Sequence, residues 1–509
     1  MRLKLLLLLA ATFLLYASFL ERSPVYLNND EAAFALQAHA IATTARDEHG
    51  RLLPLYFNIL PGVWYHPVIV YVMALFLTVL PLTEWSVRLP TVVLAVANVG
   101  LVVVLARRVF RRENLALLAG GLLALTPSHF IHGRLACDYL YPVPFILVWL
   151  IALTSYLERP RLWLLFVAGL ALGVGFYSYL ASVVSMPMYV ALTCAVLATT
   201  ERKPIRPCRA VAASFLVALV PLTLWLSVHP DTLFGTVGRY RTHTELQSGL
   251  LTNLGERAMV FVKFFNPAYL FARDFGAVTS STHRAGVFAA AMAIFLPVGV
   301  YQIISRRRSP LTLLLIAGFV LAPLAATIVN EPYTTDRAIA LLPLGVLIGA
   351  CGVERLWMSG VGWLRGATIA LLISIPVQFV YFYYDYLTDY RRRSGFWFNG
   401  NNRGALEEII AANPPGNPRT VYFAYKVPFI QFYWKLYLLK HHREDLLAHT
   451  EYFDVETLDA DAVPADAIIL TNSEDVVERT LIASGRFAET RKIPEADDST
   501  AFALLEKRR

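Results

Sequence analysis

The chain reads as a polytopic α-helical membrane protein with a small α/β domain at its C-terminal end, and three observations carry that reading. Hydrophobic residues fill 57% of the 509 positions and charged residues only 16%, with a mean hydropathy of +0.52. Apolar runs of about 20 residues, the length needed to cross a hydrocarbon core, recur through positions 1–390. Beyond them, helix-like patterns alternate with short apolar runs, as in a small mixed domain. An outer-membrane barrel would show short segments of alternating polarity instead.

The N-terminus, "MRLKLLLLLAATFLLYASFLERS", has the basic start and apolar centre of a signal peptide. Its apolar stretch runs through 3–20 without an A-x-A site, so it is predicted to stay as a first transmembrane helix. Further spans are predicted at 88–106, 114–131, 139–157, 161–177, 180–199, 209–228, 286–304, 310–329, 338–353 and 364–384. The apolar stretch "HPVIVYVMALFLTVLPL" (66–82) is different. Counted as a span, it would put "RRVFRRE" (107–113) outside, against the rule that basic loops stay cytoplasmic. Read as a juxtamembrane or re-entrant helix, it restores agreement. "RRVFRRE", "ERPR" (158–161), "ERKPIRPCR" (201–209), "SRRRS" (305–309), "ERLWMSGVGWLR" (354–365) and the Arg2/Lys4 pair then all face the cytoplasm.

About eleven spans leave the N-terminus inside and the C-terminal domain outside the cytoplasmic (inner) membrane. The predicted organisation is a membrane domain over 1–390, with extracytoplasmic loops 21–87 and 229–285, and a soluble extracytoplasmic α/β domain over 391–509. In the latter, "RGALEEIIAAN", "FIQFYWKLYLLKHH" and "SEDVVERTLIASG" read as helices, and "RTVYFAY", "DAIILT" and "AFALLE" as strands. The net charge of +8 follows topology, so membrane lipids and not nucleic acid are the expected surroundings. There is no G-x-G-x-x-G and no Walker motif. Cys137, Cys194, Cys208 and Cys351 match no zinc spacing and imply no disulfide framework.

The ionisable groups of interest gather on the outer side. "YLNNDEAAFALQAHA" (26–40) follows the first span and carries Asp30 and Glu31. One reading is a helix start: Asn28 as N-cap, Asp30 in the first turn, and Glu31 closing a capping box. The other is a catalytic carboxylate on an amphipathic helix in the membrane interface, at the depth where a lipid-linked substrate presents its phosphate and sugar. In "GVWYHPVIVY" (62–71), Trp64 and Tyr65 suit the interface and Pro67 suits a first helical turn. His66 there is either a phosphate or proton ligand or a plain interfacial histidine. "HFIHGRLACD" offers His129, His132, Arg134 and Asp138, with an Arg134–Asp138 pair expected on adjacent turns. The two histidines leave a divalent metal open, although no metal ligand set is complete. Arg337 in "NEPYTTDRAIALLPLG" is an anchoring arginine or a phosphate clamp. "GRYRTHTE" and "FVKFFNPAYLFARDF" make the loop 229–285 a mixed aromatic and basic surface.

Taken in order, these features resemble the GT-C membrane glycosyltransferases, most closely the protein O-mannosyltransferases, the aminoarabinose lipid A transferases and their bacterial relatives. The residues that carry the likeness are the acidic pair after the first span, the aromatic juxtamembrane helix with its proline, "VRLP" (87–90) and "RRVFRRENLALLAG". "GRLACD", "GVGFYSYLASVVSMPMY" (173–189) and "DRAIALLPLG" add to it. The likeness is best over roughly 1–240, returns near 330–350, and says little about the tail. It implies that Asp30 is the catalytic carboxylate, that Glu31 accompanies it, and that Asp138 lies across the cavity. It also implies a polyprenyl-phosphate sugar donor, which agrees with the missing nucleotide fingerprints. Where the aminoarabinose branch carries an acid and a lysine, this chain reads Tyr65–His66, which argues against aminoarabinose as the sugar.

The function expected from the sequence is therefore transfer of a sugar from a polyprenyl-phosphate donor to a lipid, glycan or protein acceptor by inverting displacement. Tyr65, His66, Arg134 and Arg337 are the expected substrate-binding residues. A transporter or flippase, and a polymerase or ligase for lipid-linked glycans, are the competing classes. Transporters commonly show repeated halves with polar groups at mid-membrane, and no repeat is visible here.

Overall fold

The computed structural model describes residues 2–238, 250–306, 309–456 and 458–508. Most of "GRYRTHTE" (239–245) and the central Arg307 and Arg308 of "SRRRS" lie outside the described residues. The chain forms two compact units. One comprises 1–18, 51–72 and 89–383, and the other 19–50, 73–88 and 384–509.

The larger unit is helical, because its apolar runs can satisfy their backbone groups in a membrane only by bonding within each segment. Among the described residues, six helices of the chain are long and apolar enough to cross a membrane: Glu84–Phe110, Asp138–Glu158, Ser182–Thr200, Ile205–Val228, Pro310–Ile328 and Gly362–Arg393. Shorter apolar helices cover Pro67–Leu77, Glu113–Ala124, Leu162–Gly175 and Met292–Arg306. With Arg2–Ala17 and Leu341–Trp357, they occupy the places where the sequence predicts helices. The chain is a multi-pass membrane protein. The segment 66–82 forms the short helix Pro67–Leu77, entered from a hairpin of Phe57–Leu60 against Val63–Tyr65. Gly62 supplies the positive φ of +74° that the tight turn requires.

Small residues set the closest helix contacts. At Gly299 a Cβ would overlap the Ile348 carbonyl, and at Gly352 one would overlap the Phe295 carbonyl. The helices Met292–Arg306 and Leu341–Trp357 thus meet backbone to backbone, the mode of packing open to apolar helices in lipid. Gly169 does the same against Val211 and Ser214. A start signal works as the sequence suggests at Ser309: its Oγ accepts the Thr312 N–H at 3.2 Å, with Pro310 in the first helical position.

The smaller unit contains a five-stranded sheet. Val421–Ala424 lies between Thr450–Phe453 and Ile468–Asn472, parallel to both; Thr500–Lys507 and Phe487–Pro494 continue antiparallel beyond Ile468–Asn472. The helices Asn402–Ala411, Ile430–His441 and Val476–Ala483 fall where the sequence places them, as do three of the strands. Thr450–Phe453 and Phe487–Pro494 are added by the structure. The opening stretch belongs to this unit. Its helix Asn29–Thr44 packs on Ile430–His441, where Tyr433 donates to the Leu27 carbonyl at 3.0 Å and Lys435 pairs with Glu48 at 2.6 Å. Glu84, from the same unit, accepts both Lys440 Nζ at 3.0 Å and the Tyr437 hydroxyl at 3.1 Å. Every residue from Glu31 to Ala38 is buried. Over Glu31–Ala38 the helix is therefore enclosed on all sides, unlike the one-faced amphipathic helix expected from its sequence, whereas Thr43 and Thr44 at its end are exposed.

Candidate active site

The acidic pair resolves into two different environments. Asn28, in an extended conformation, accepts the Glu31 N–H at 2.8 Å, and Glu31 Oε2 accepts the Asn28 N–H at 3.0 Å, completing a capping box. The same carboxylate is gripped by Arg88: Nε to Oε1 at 2.8 Å and Nη2 to Oε2 at 2.9 Å. Arg88 spends its remaining donors on the carbonyls of Leu20, Pro24 and Tyr26. Glu31 is 0% and Arg88 1% exposed. With both oxygens held, Glu31 is committed to fixing the helix start. Asp30 is half-buried, one residue earlier, and accepts Asn29 Nδ2 at 3.1 Å. Within "VRLP", local pattern assigns Arg88 no role. The signal was present, since a lone arginine entering an apolar run must have a partner.

The larger unit gathers three of the stretches that the sequence predicts on the outer side. The turn Asp138–Leu140 packs on the turn Thr335–Ala338, which carries Arg337. Tyr179, from the stretch 173–189, donates its hydroxyl to Asp336 Oδ2 at 2.7 Å. Arg337 Nε pairs with Glu331 Oε2 at 2.7 Å. Tyr269, from the loop 229–285, shares a 2.6 Å hydrogen bond with Thr335 Oγ1. Asp274, on the same loop, accepts the Gly276 N–H at 2.8 Å, and Ser128 Oγ lies 3.5 Å from it. Burial pushes the Asp274 carboxyl up to about 7; the Gly276 N–H opposes the shift and Asp336 adds to it. The sequence offered only a single acid at the end of "FVKFFNPAYLFARDF", and nothing there marks it as buried beside Asp336.

The other predicted residues are placed as follows. Arg134 is fully buried, and its Nη1 donates to the Tyr16 and Ser18 carbonyls, the latter at 2.8 Å, with its guanidinium over Phe130. It thereby closes the C-terminal end of Arg2–Ala17, where helices favour cations. Tyr65 ends the hairpin strand, and His66 stands edge-on to Tyr56, 5.2 Å between ring centres. Burial pushes His66 down to about 3, so near neutral pH it offers a hydrogen bond and no positive charge. His132 Nδ1 lies 2.7 Å from the Ser128 carbonyl, and His129 Nδ1 lies 2.9 Å from the Tyr16 hydroxyl. Among the described residues, no group of three or more His, Cys, Asp or Glu side chains is arranged to hold a metal ion.

This architecture is the GT-C glycosyltransferase fold, and the likeness to membrane sugar transferases expected from the sequence is found. Residues 65–226 match the family model of the dolichyl-phosphate-mannose-protein mannosyltransferases. Among solved structures, the chain is similar to ArnT from Cupriavidus metallidurans bound to undecaprenyl phosphate. The TM-score is 0.61 at 14% identity, over 98% of this chain and 97% of that one. The apo state of the same protein gives 0.58 at 13%, with the same coverage. AglB, the archaeal oligosaccharyltransferase from Archaeoglobus fulgidus, in complex with an inhibitory peptide and a dolichol-phosphate, gives 0.50 at 13%, over 84% of this chain and 63% of that one. No curated protein matches the sequence.

Proposed function

We propose that this protein transfers a hexosyl or pentosyl group from a polyprenyl-phosphate donor to a lipid, glycan or protein acceptor at the outer face of the cytoplasmic membrane. About eleven spans put its N-terminus inside and residues 391–509 outside. The observation that carries the reading is the mounting of Asp30. A first-turn carboxylate sits on a helix start locked by the Asn28–Glu31 box and the Arg88 pair, while its neighbour Glu31 is fully engaged. Such rigidity suits a general base. The fold supports the donor class, since ArnT is seen with undecaprenyl phosphate and AglB with a dolichol-phosphate.

In this mechanism Asp30 takes the proton of an acceptor hydroxyl as its oxygen attacks the anomeric carbon. The bond from that carbon to the phosphate oxygen breaks on the opposite side, inverting the configuration, and the polyprenyl phosphate leaves. General-base help of this kind is worth about 10²–10⁴-fold in rate. Arg337 stabilises the charge growing on the phosphate, exchanging its Glu331 partner for the donor. Arg134 holds the first helix in place. Asp138, whose turn packs on that of Arg337, lines the donor side, and Tyr65 and His66 contribute polar contacts without charge.

The test is turnover of a synthetic polyprenyl-phosphate sugar by the purified protein, with and without a divalent cation. It is combined with mass spectrometry of envelope glycolipids and glycoproteins with and without the protein. A mass difference of one sugar supports the reading. A folded Asp30→Asn variant that retains full turnover overturns it, and so does movement of an intact lipid-linked glycan across the membrane without transfer.

A further inference from the structure

The larger unit holds a cavity of about 410 Å³ that is lined by no residue of the mechanism above. It lies where helix Pro142–Glu158 ends, helix Leu162–Gly175 begins, and "ERPR" joins them. The residue before a proline is pushed toward extended backbone, and Arg159 has φ −142° and ψ 96°. Arg161 is extended as well, at φ −128° and ψ 116°. Side chains two apart on extended backbone point to the same side, and both arginines line the cavity. Arg108, from the last turn of Glu84–Phe110, and Trp163, from the first turn of Leu162–Gly175, stand in the same wall.

The charges of this wall do not cancel. Glu158 is its one acid, and Arg108 Nη1 holds it at 3.1 Å. Arg159 and Arg161 are exposed, and among the described residues neither forms an ion pair. Three cations against one acid leave a surplus of two positive charges. The larger cavity lined by Lys4 and Arg112, about 840 Å³, is different. Glu113 and Glu354 share its wall, and Arg112 Nε lies 3.5 Å from Glu354.

Guanidinium groups bind phosphate through paired N–H donors, so a phosphate carrying net negative charge suits the surplus. A zwitterionic head group is served worse, because its cationic end needs a carboxylate and Glu158 is already engaged by Arg108. The volume lies in the range of small-ligand pockets.

The neighbouring surface decides what the phosphate is attached to. Gly169 and Gly173 bring one face of helix Leu162–Gly175 against Val211, Ser214, Phe215 and Ala218 of helix Ile205–Ala218. On another face Trp163, Phe166, Leu170 and Val174 are exposed, and their spacing of three or four residues makes them one apolar stripe. The stripe starts at Trp163, which is 58% exposed in the cavity wall, and runs for about three turns. An indole beside bases is the side chain favoured where head groups meet acyl chains. We propose that this cavity binds the phosphate of an anionic glycerophospholipid, with the acyl chains lying along the stripe from Trp163 to Val174. On the topology proposed above, that lipid belongs to the cytoplasmic leaflet. The binding itself depends neither on that orientation nor on the transfer reading.

The experiment titrates the full chain, in a neutral detergent, with short-chain phosphatidylglycerol, short-chain phosphatidylcholine and glycerol 3-phosphate, read by calorimetry and native mass spectrometry. Saturable binding of phosphatidylglycerol is expected, at least tenfold tighter than either other probe. Arg159→Gln, Arg161→Gln and Trp163→Ala should each weaken it at least fivefold at unchanged lipid-free Tm. The double variant Arg202→Gln/Lys203→Gln removes two exposed cations from the next basic stretch and should change binding less than twofold. Absence of saturable binding, equal binding of phosphatidylcholine, or indifference to both arginine variants overturns the proposal. Equal or tighter binding of glycerol 3-phosphate overturns the lipid as occupant. An equal loss in the Arg202/Lys203 control also overturns the site, since the effect is then general charge attraction.

Discussion

Arg88 and Glu31 form a doubly hydrogen-bonded ion pair, 2.8 and 2.9 Å, with neither residue more than 1% exposed. Removing one member strands a buried charge, which costs about 3–5 kcal/mol. Arg88→Ala should therefore lower the Tm sharply or abolish folded yield. Arg88→Lys should rescue little, because an ammonium cannot reproduce the fork that also reaches three carbonyls. Thermal unfolding in detergent decides this, and a near-normal Tm for Arg88→Ala would contradict it.

The two neighbouring acids should separate by readout. Asp30→Asn is expected to leave the Tm within a few degrees of wild type and to lower turnover about 10²–10⁴-fold. Glu31→Gln should show its main effect in stability, since it loses the charge that Arg88 needs. Asn28→Ala should cost about 1 kcal/mol through the lost cap. Parallel Tm and rate measurements on the three variants check the division.

Gly299 and Gly352 should tolerate no side chain. Alanine at either forces apart two helices that now touch through backbone, so Gly299→Ala and Gly352→Ala should each destabilise by about 1–3 kcal/mol, the usual cost of overpacking. Gly121 and Gly366 have open space where a Cβ would go, and their alanine variants should be near neutral. Equal Tm values across all four variants would refute the packing argument.

Asp274 gives a pH signature. Its carboxyl is pushed up to about 7 in the folded protein, whereas in an unfolded chain it titrates near 4. Between those values the folded state keeps a proton that the unfolded state has released, so stability falls as pH rises from about 4 to about 7, then levels. Asp274→Asn removes this contribution while keeping an acceptor for the Gly276 N–H. Its Tm, followed from pH 5 to pH 8, should decline less than that of the wild type. Identical pH profiles would rule the account out.

The capping box at Asn28 and Glu31 was legible because it is local: an N-cap side chain and an N3 carboxylate announce themselves within four positions. The tail's helices and its buried strands were legible for the same reason, through periodicity over a few residues. The edge strand Phe487–Pro494 was not, because four of its eight residues in a row, Glu489–Lys492, are exposed and polar and show no apolar alternation. The hairpin before His66 was hidden because its two strands are only four and three residues long. Arg88 was visible as an oddity but its partner was not, since Glu31 lies 57 positions away.

By itself the sequence determined the membrane class, the positions of the helices, the mixed character of the tail and the candidate acids, all of which follow from composition and short-range pattern. Only the tertiary structure decided that Glu31 is spent on Arg88 and that residues 19–50 fold with the C-terminal sheet. It alone brought the turns of Asp138 and Arg337 together and placed Asp274 near Asp336. The reason is physical. Helix and strand preferences are summed over neighbours in the chain, whereas the worth of a buried charge depends on partners that packing brings from far along it.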